Sequence, residues 1–213
     1  APRRSGGLDL SGRRFWKMSG SGNDFVVFDS RGGAGSGADA LERPDAIQAL
    51  CGRGTGVGAD GVVFVAEPRR AGASVAMRYY NSDGSRGAFC GNATLCVTRL
   101  VAELGLARHG EVVIEIDGGV VPARLGADGP EIDLPAVVDV STSVDVLDLA
   151  PGESRMGFAL AGVPHLVVRC GVFEAVDVVE RGRALRNSSY RTEGMNVNFV
   201  SGRAGDWKIR TYE

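Results

Sequence analysis

Cys90, Gly91 and Asn92 carry the chemistry that stands out in this chain, because they fall where a connector meets an apolar, helix-like run. An alternating strand from Ser74 to Tyr80 leads into a turn built on Asn81, Asp83 and Gly84, and the connector then delivers Cys90 to the start of that run. A cysteine at a helix N-terminus lies beside backbone N–H groups that have no partner inside the helix, and beside the positive end of the helix dipole. Both lower the thiol pKa and enrich the thiolate. The same N–H groups, here those of Gly91 and Asn92, can hold a carboxylate next to the sulfur. A thiolate beside an anion cradle can take a proton from a substrate held by its carboxylate.

The remaining reactive residues point to fewer alternatives. Cys96 lies six residues on, inside the apolar run, and reads as core, while Cys51 and Cys170 also read as structural. No Cys-x-x-Cys occurs and the two histidines, His109 and His165, lie far apart, so a zinc site is not expected and no metal is assigned. Only two of the 24 basic residues are lysines, Lys17 and Lys208, which leaves few candidates for a Schiff-base cofactor. The net charge of −2 gives no reason to expect nucleic acid or an anionic membrane as partner. No apolar run reaches the roughly 20 residues of a membrane span, and the first 14 residues lack the apolar core of a secretory signal. A cytoplasmic protein with reduced thiols is therefore expected.

These residues must be positioned by a mixed set of strands and helices. Residues 1–14 read as a disordered leader or expression remnant. Strands are expected at Phe15 to Met18 and Asp24 to Asp29, joined by a tight polar turn, followed by a Gly/Ala/Ser loop over 30–38. A helix begins near Pro44, well suited to a first helical position, and ends at Gly52. Gly56, Gly58 and Gly61 form G-x-G-x-x-G, but ahead of the strand Val62 to Val65 rather than after one, so the dinucleotide-binding reading fails on context. The helix after Cys90 ends at Gly105, and Glu111 to Asp117 is a strand turning at Gly118-Gly119. A domain boundary is expected there, giving domains 15–117 and 118–213. In the second, strands are expected near 120–125, 131–134, 155–161, 165–170, 196–200 and 206–212, with a helix over 174–186. Asn23, Asn81 and Asn196 each fall at a strand–turn junction, where Asn is also a common turn former.

The two halves share landmarks in the same order, as an internal duplication would give. Gly22-Asn-Asp-Phe-Val-Val27 parallels Gly162-Val-Pro-His-Leu-Val167, and Gly58-Ala-Asp60 with its strand parallels Gly194-Met-Asn196 with its own. Val75 to Asn81 parallels Trp207 to Glu213. Cys90 follows Asn81 by nine residues, so the repeat puts its partner about nine residues past Glu213. With the chain starting on Ala1, one or both ends are expected to be missing.

These landmarks closely resemble the diaminopimelate epimerase family. The matching stretches are Lys17 to Phe25, Gly56 to Gly61, Asn81-Ser-Asp-Gly-Ser85, Cys90-Gly-Asn92, Pro164-His165, Glu193 to Val200 and Arg210 to Glu213. The resemblance implies an α/β (α+β) fold of two similar domains, each a curved, mostly antiparallel sheet wrapped around a helix, the second incomplete here. It implies cofactor-independent conversion of LL- to meso-diaminopimelate by two thiols, one from each domain, with the amino-acid substrate between them. Cys90 is then the catalytic thiol present, and Asn23, Asn81, Gly91, Asn92 and Asn196 contact substrate. His165 and Glu213 tune the thiols, Glu213 near the missing one, so residues 1–213 alone are expected to be inactive. A homodimer stays open.

Three departures from the family pattern bear on specificity. The second cysteine motif is absent, Val163 stands where the family has Asn before Pro-His, and Cys90-Gly-Asn-Ala-Thr-Leu-Cys96 carries Ala93 and Leu95 in place of Gly and Arg. A racemase of another amino acid, or a non-catalytic amino-acid-binding relative, are the alternatives these departures leave.

Overall fold

The computed structural model describes residues 8, 10, 12–32, 40–192 and 194–213, with the side chain of Phe173 excepted. The expected leader, and the 30–38 loop from residue 33 onward, fall largely outside the described residues. The chain divides into two compact units, one running to Asp133 and one from Leu134 to Glu213.

The first unit opens with β1 (Phe15–Gly20) and β2 (Asn23–Asp29), an antiparallel hairpin. Its two-residue turn is Ser21-Gly22, both at positive φ (50° and 98°), the backbone a tight right-twisted hairpin demands. Helix α1 (Pro44–Cys51) follows, with proline in its first turn; its Gln48, Leu50 and Cys51 carbonyls accept the N–H groups of Gly52, Gly58 and Ala59. Strand β3 (Gly61–Ala66) returns parallel to β2, and β4 (Val75–Asn81) runs antiparallel to β3. A two-residue strand β5 (Arg86–Gly87) precedes α2 (Gly91–Glu103). Then come β6 (Glu111–Ile116), β7 (Gly119–Gly126) and β8 (Gly129–Ile132). The sheet order is β1-β2-β3-β4-β6-β7-β8, with β5 on β4.

Every residue of β3 is buried, because both faces of the sheet are covered. Phe25, Val27, Val63, Val65, Met77 and Tyr79 meet Val97, Leu100 and Val101 of α2, while the alternating Val26, Phe28, Val62, Phe64 and Tyr80 meet Ile47 and Leu50 of α1. Helix α2 touches β1, β2, β4, β6, β7 and β8, which a sheet can offer only by curling around it. Two threonines fully buried in α2 spend their hydroxyls on the preceding turn, Thr94 on the Cys90 carbonyl and Thr98 on the Thr94 carbonyl, both at 2.8 Å. The helix ends in a Schellman motif, with Gly105 left-handed and the N–H groups of Leu106 and Gly105 returning to Val101 and Ala102 at 3.0 Å.

The expected boundary at 117/118 differs from the structure. The Gly118-Gly119 hairpin forms, but β7 and β8 continue the first sheet, and Ala123 and Ile132 complete the cover of α2. A hairpin turn therefore stood where a linker was expected, and the first unit extends to Asp133.

The second unit holds β9 (Val138–Ser141), which the pattern did not suggest, then β10 (Glu153–Ala161) and β11 (Val163–Cys170). The helix expected over 174–186 is a 3-10 turn (Phe173–Ala175) followed by α3 (Val178–Arg186). Asp177 starts α3 by accepting the N–H groups of Val179 and Glu180. Strands β12 (Asn196–Arg203) and β13 (Asp206–Tyr212) complete a sheet of order β13-β12-β11-β10-β9.

The duplication is visible in this topology. In both units an antiparallel pair leads through a helix to a parallel strand and then an antiparallel one, β1-β2-α1-β3-β4 against β10-β11-α3-β12-β13. Gly22 and Gly162 both take positive φ, as do Gly58 and Gly194 at 78° and 79°. Register refines one pairing. Phe25 pairs with Gly61 and His165 with Asn196, so Asn196 matches Gly61 rather than Asp60. One residue fewer lies between the left-handed glycine and the strand in the second unit, and such a slip exchanges sheet faces. With that register, His165, Val167, Asn198, Val200, Ile209 and Thr211 are the counterparts of the residues α2 covers. Among the described residues part of this face is exposed, Val140, Trp207 and Ile209 each by more than half, while Asn198 is buried.

Candidate active site

In the first unit the candidate residues meet along one edge of the sheet. Strands β2 and β3 begin there, at Asn23 and Gly61, and antiparallel β4 ends there, at Asn81. Helix α2 begins at the same edge, with Cys90 as its N-cap residue in extended conformation (φ −143°, ψ 110°). The Cys90 side chain makes no capping hydrogen bond to the first turn. Cys90 is half-buried against the cluster around α2, with Ile132 and Phe89 against neighbouring Gly91. Gly20 brings the β1 end onto the helix start. A Cβ there would stand 2.7 Å from the Asn92 carbonyl oxygen and 3.0 Å from the Cys96 sulfur.

Asn23 is held from both sides. Its Oδ1 accepts from Asn92 Nδ2 at 2.7 Å, and its Nδ2 donates to Asp60 Oδ2 at 3.2 Å. Asp60 also accepts the Asp24 N–H and an Arg53 N–H, and Arg53 and Lys17 both reach the Asp24 carboxylate. The Arg53 guanidinium first, and then the Lys17 ammonium, hold the Asp24 carboxyl well below the usual carboxylate range. Asn81 is likewise fixed: its Oδ1 accepts from the Tyr79 hydroxyl at 2.8 Å and its Nδ2 donates to Ser85 Oγ at 3.0 Å. Asp83 in turn accepts the Ser85 N–H and hydroxyl. Cys96 and Cys51 are buried, and burial pushes both thiols up to about 11. Burial also pushes the Cys170 thiol up.

The second unit gathers its candidates at the corresponding edge. His165 lies near the start of β11, in register with Asn196 at the start of β12, and Glu213 follows the end of β13. Burial lowers the His165 pKa, while the Glu213 carboxylate acts the other way. Asn196 Oδ1 accepts from Arg186 Nη1 at 3.1 Å, and the same guanidinium reaches the Met195 carbonyl at 2.8 Å. His109 is exposed in a turn at φ 55° and joins neither group. Among the described residues, no three of His, Cys, Asp and Glu gather as a metal site would require, and no helix is long and apolar enough to cross a membrane.

Comparison with known proteins decides the family. Residues 15–142 match the family model described as diaminopimelate epimerase. The diaminopimelate epimerase of Gemmatimonas aurantiaca is 43% identical over 202 residues, covering 93% of this chain and 71% of the relative. That of Aquifex aeolicus is 35% identical over 205 residues, covering 93% and 73%. The chain belongs to the diaminopimelate epimerase family. Solved structures of the same fold include a hydroxyproline epimerase of Agrobacterium vitis (TM-score 0.66, 18% identity, covering 92% of this chain and 68% of that one). A Bacillus anthracis protein of the PhzF family is another (TM-score 0.59, 18% identity, 94% and 71%).

For a diaminopimelate epimerase relative, the departures noted above sit close to these edges. Val163 is the first residue of β11, half-buried, and Ala93 is fully buried in the first turn of α2. Sequence reasoning passed over four residues that the structure places in the same networks: Asp60, Tyr79, Asn198 and Thr211. Asp60 and Tyr79 lie inside or beside matched motifs, and their polar partners were the available signal. Asn198 and Thr211 also lie inside matched stretches, but their partners stand on other strands.

Proposed function

We propose that the protein epimerises the α-carbon of an amino acid without a cofactor, converting LL- to meso-diaminopimelate, with Cys90 exchanging the α-proton on one face. The placement of Cys90 as N-cap of α2 carries this reading. The Gly91 and Asn92 N–H groups would hold the α-carboxylate, and the electron pair left when the C–H bond breaks would spread into that carboxylate beside the positive helix end. A thiol acid on the opposite face then returns a proton to carbon, and the reverse reaction exchanges the two roles. Asn23 and Asn81, each already oriented by two side-chain hydrogen bonds, would present fixed polar groups to the rest of the substrate. Contacts of this kind are each worth on the order of 100-fold in rate where they stabilise developing charge.

The test is Cys90→Ala in the full-length protein, followed by deuterium incorporation at the α-carbon and by inversion in D2O. Loss of inversion by at least about 1,000-fold is expected, as for removal of a general base. Near-normal inversion would overturn the two-thiol mechanism. Val163 favours a second reading, a racemase acting on another amino acid, because an apolar side chain stands at the start of β11 where the family carries Asn. A panel of amino acids assayed by the same exchange separates the two readings.

A further inference from the structure

Asn198 is buried, 6% exposed, on a strand facing the half-buried His165. Its Nδ2 lies 3.1 Å from the Leu166 carbonyl oxygen, 3.3 Å from the Asn196 carbonyl oxygen and 3.2 Å from His165 Nδ1. Its Oδ1 accepts the Thr211 hydroxyl at 3.0 Å. Carbonyl oxygens only accept, so turning the amide over would set Oδ1 against two of them. Leu166 and Asn196 thus fix which end of the amide faces the imidazole, and that end is a donor.

We propose that Asn198 is a positioning residue that holds His165 in the neutral tautomer carrying its proton on Nε2. With two N–H bonds for three acceptors, one hydrogen is shared between the Asn196 carbonyl and Nδ1. A ring nitrogen that receives even a shared N–H presents its lone pair, so Nδ1 accepts and the single ring proton of the neutral form resides on Nε2. A protonated ring would bring Nδ1–H against the Asn198 amide hydrogens, and burial of His165 disfavours that form in any case. The charged group that acts on the ring is the Glu213 carboxylate, just past the end of β13. The tautomer follows from hydrogen bonds within the second unit. Its use, offering Nε2–H as a hydrogen-bond donor at the β11 edge, rests on the epimerase reading.

The experiment is long-range 1H–15N correlation of the imidazole nitrogens in 15N-labelled protein at about pH 8, above the ordinary histidine pKa. Only His109 and His165 are present, and exposed His109 is an internal reference. His165 is expected to show a bare Nδ1 and a protonated Nε2. In the near-isosteric Asn198→Asp the new carboxylate only accepts, so the proton is expected to move to Nδ1. A wild-type spectrum with protonated Nδ1, or an Asn198→Asp spectrum unchanged from wild type, would overturn the proposal. Should Asn198→Asp fail to fold, the wild-type spectrum alone decides. In the full-length protein, Asn198→Asp is expected to lower kcat at least tenfold with KM kept within about twofold, and wild-type kinetics would remove the positioning role. A spectrum as expected from a protein with no epimerase activity would keep the tautomer and sink only the functional reading.

Discussion

Four thiols in one chain differ sharply in what surrounds them, and reactivity should follow. Cys51 and Cys96 are buried and pushed up to about 11, which leaves about 100-fold less thiolate than an ordinary cysteine at neutral pH. Cys170 is buried and moved in the same direction. Cys90 is half-buried at the positive end of α2. Iodoacetamide at about pH 8 is therefore expected to alkylate Cys90 first, with Cys51 and Cys96 reacting only as pH rises toward 11 or on unfolding. Peptide mass mapping of a time course checks this, and early labelling of Cys96 would contradict it. At this scale the sequence shows residues whose neighbours in the chain create their chemistry. Cys90 ahead of a helical run is legible because the helix is local. Asn198 is not, because His165, Leu166 and Thr211 reach it from other strands, up to 33 positions away in sequence.

Elements were legible where one physical signal dominated. Pro44 and Gly52 bracket α1, Gly105 closes α2 and Ser21-Gly22 turns the first hairpin, each through a backbone preference local to a few residues. Strand β9 was missed because its Val-Asp-Val-Ser alternation covers only four residues and faces solvent, with Val138 and Val140 both more than half accessible. Close approaches between elements were also invisible. Gly182 lies inside α3, where alanine would gain up to about 1 kcal/mol in helix propensity. A Cβ there would stand 2.4 Å from Tyr212 Cβ, an atom fixed to the β13 backbone. Gly182→Ala is expected to destabilise the second unit by about 1–3 kcal/mol, the overpacking range. A higher melting temperature in the variant would show that the helix–strand approach can relax. Gly20→Ala, pressing on the Asn92 carbonyl and the Cys96 sulfur, is expected to displace the α2 N-terminus, so full-length enzyme should lose kcat at temperatures where it remains folded.

The units of the whole molecule are set by what each core needs for closure, and this is where a turn signal misled. A Gly-Gly pair after a strand marks a hairpin equally well within a domain and between domains. The deciding quantity is which core the following strand buries. Helix α2 carries Ala93, Val97, Leu100 and Val101 at 0% exposure, and part of that burial comes from β7 and β8 through Ala123 and Ile132. Ending the chain at Asp117 would strip both strands from the helix and uncover several apolar side chains, each worth about 1.5–3 kcal/mol when fully buried. That loss is comparable to the whole stability of a small domain, roughly 5–15 kcal/mol. Residues 1–133 expressed alone are therefore expected to fold with a cooperative thermal transition and dispersed amide signals. Residues 1–117 are expected to give neither, and to bind a hydrophobic dye such as ANS. A cooperative transition in the 1–117 fragment would mean that β7 and β8 lean on a core already complete without them.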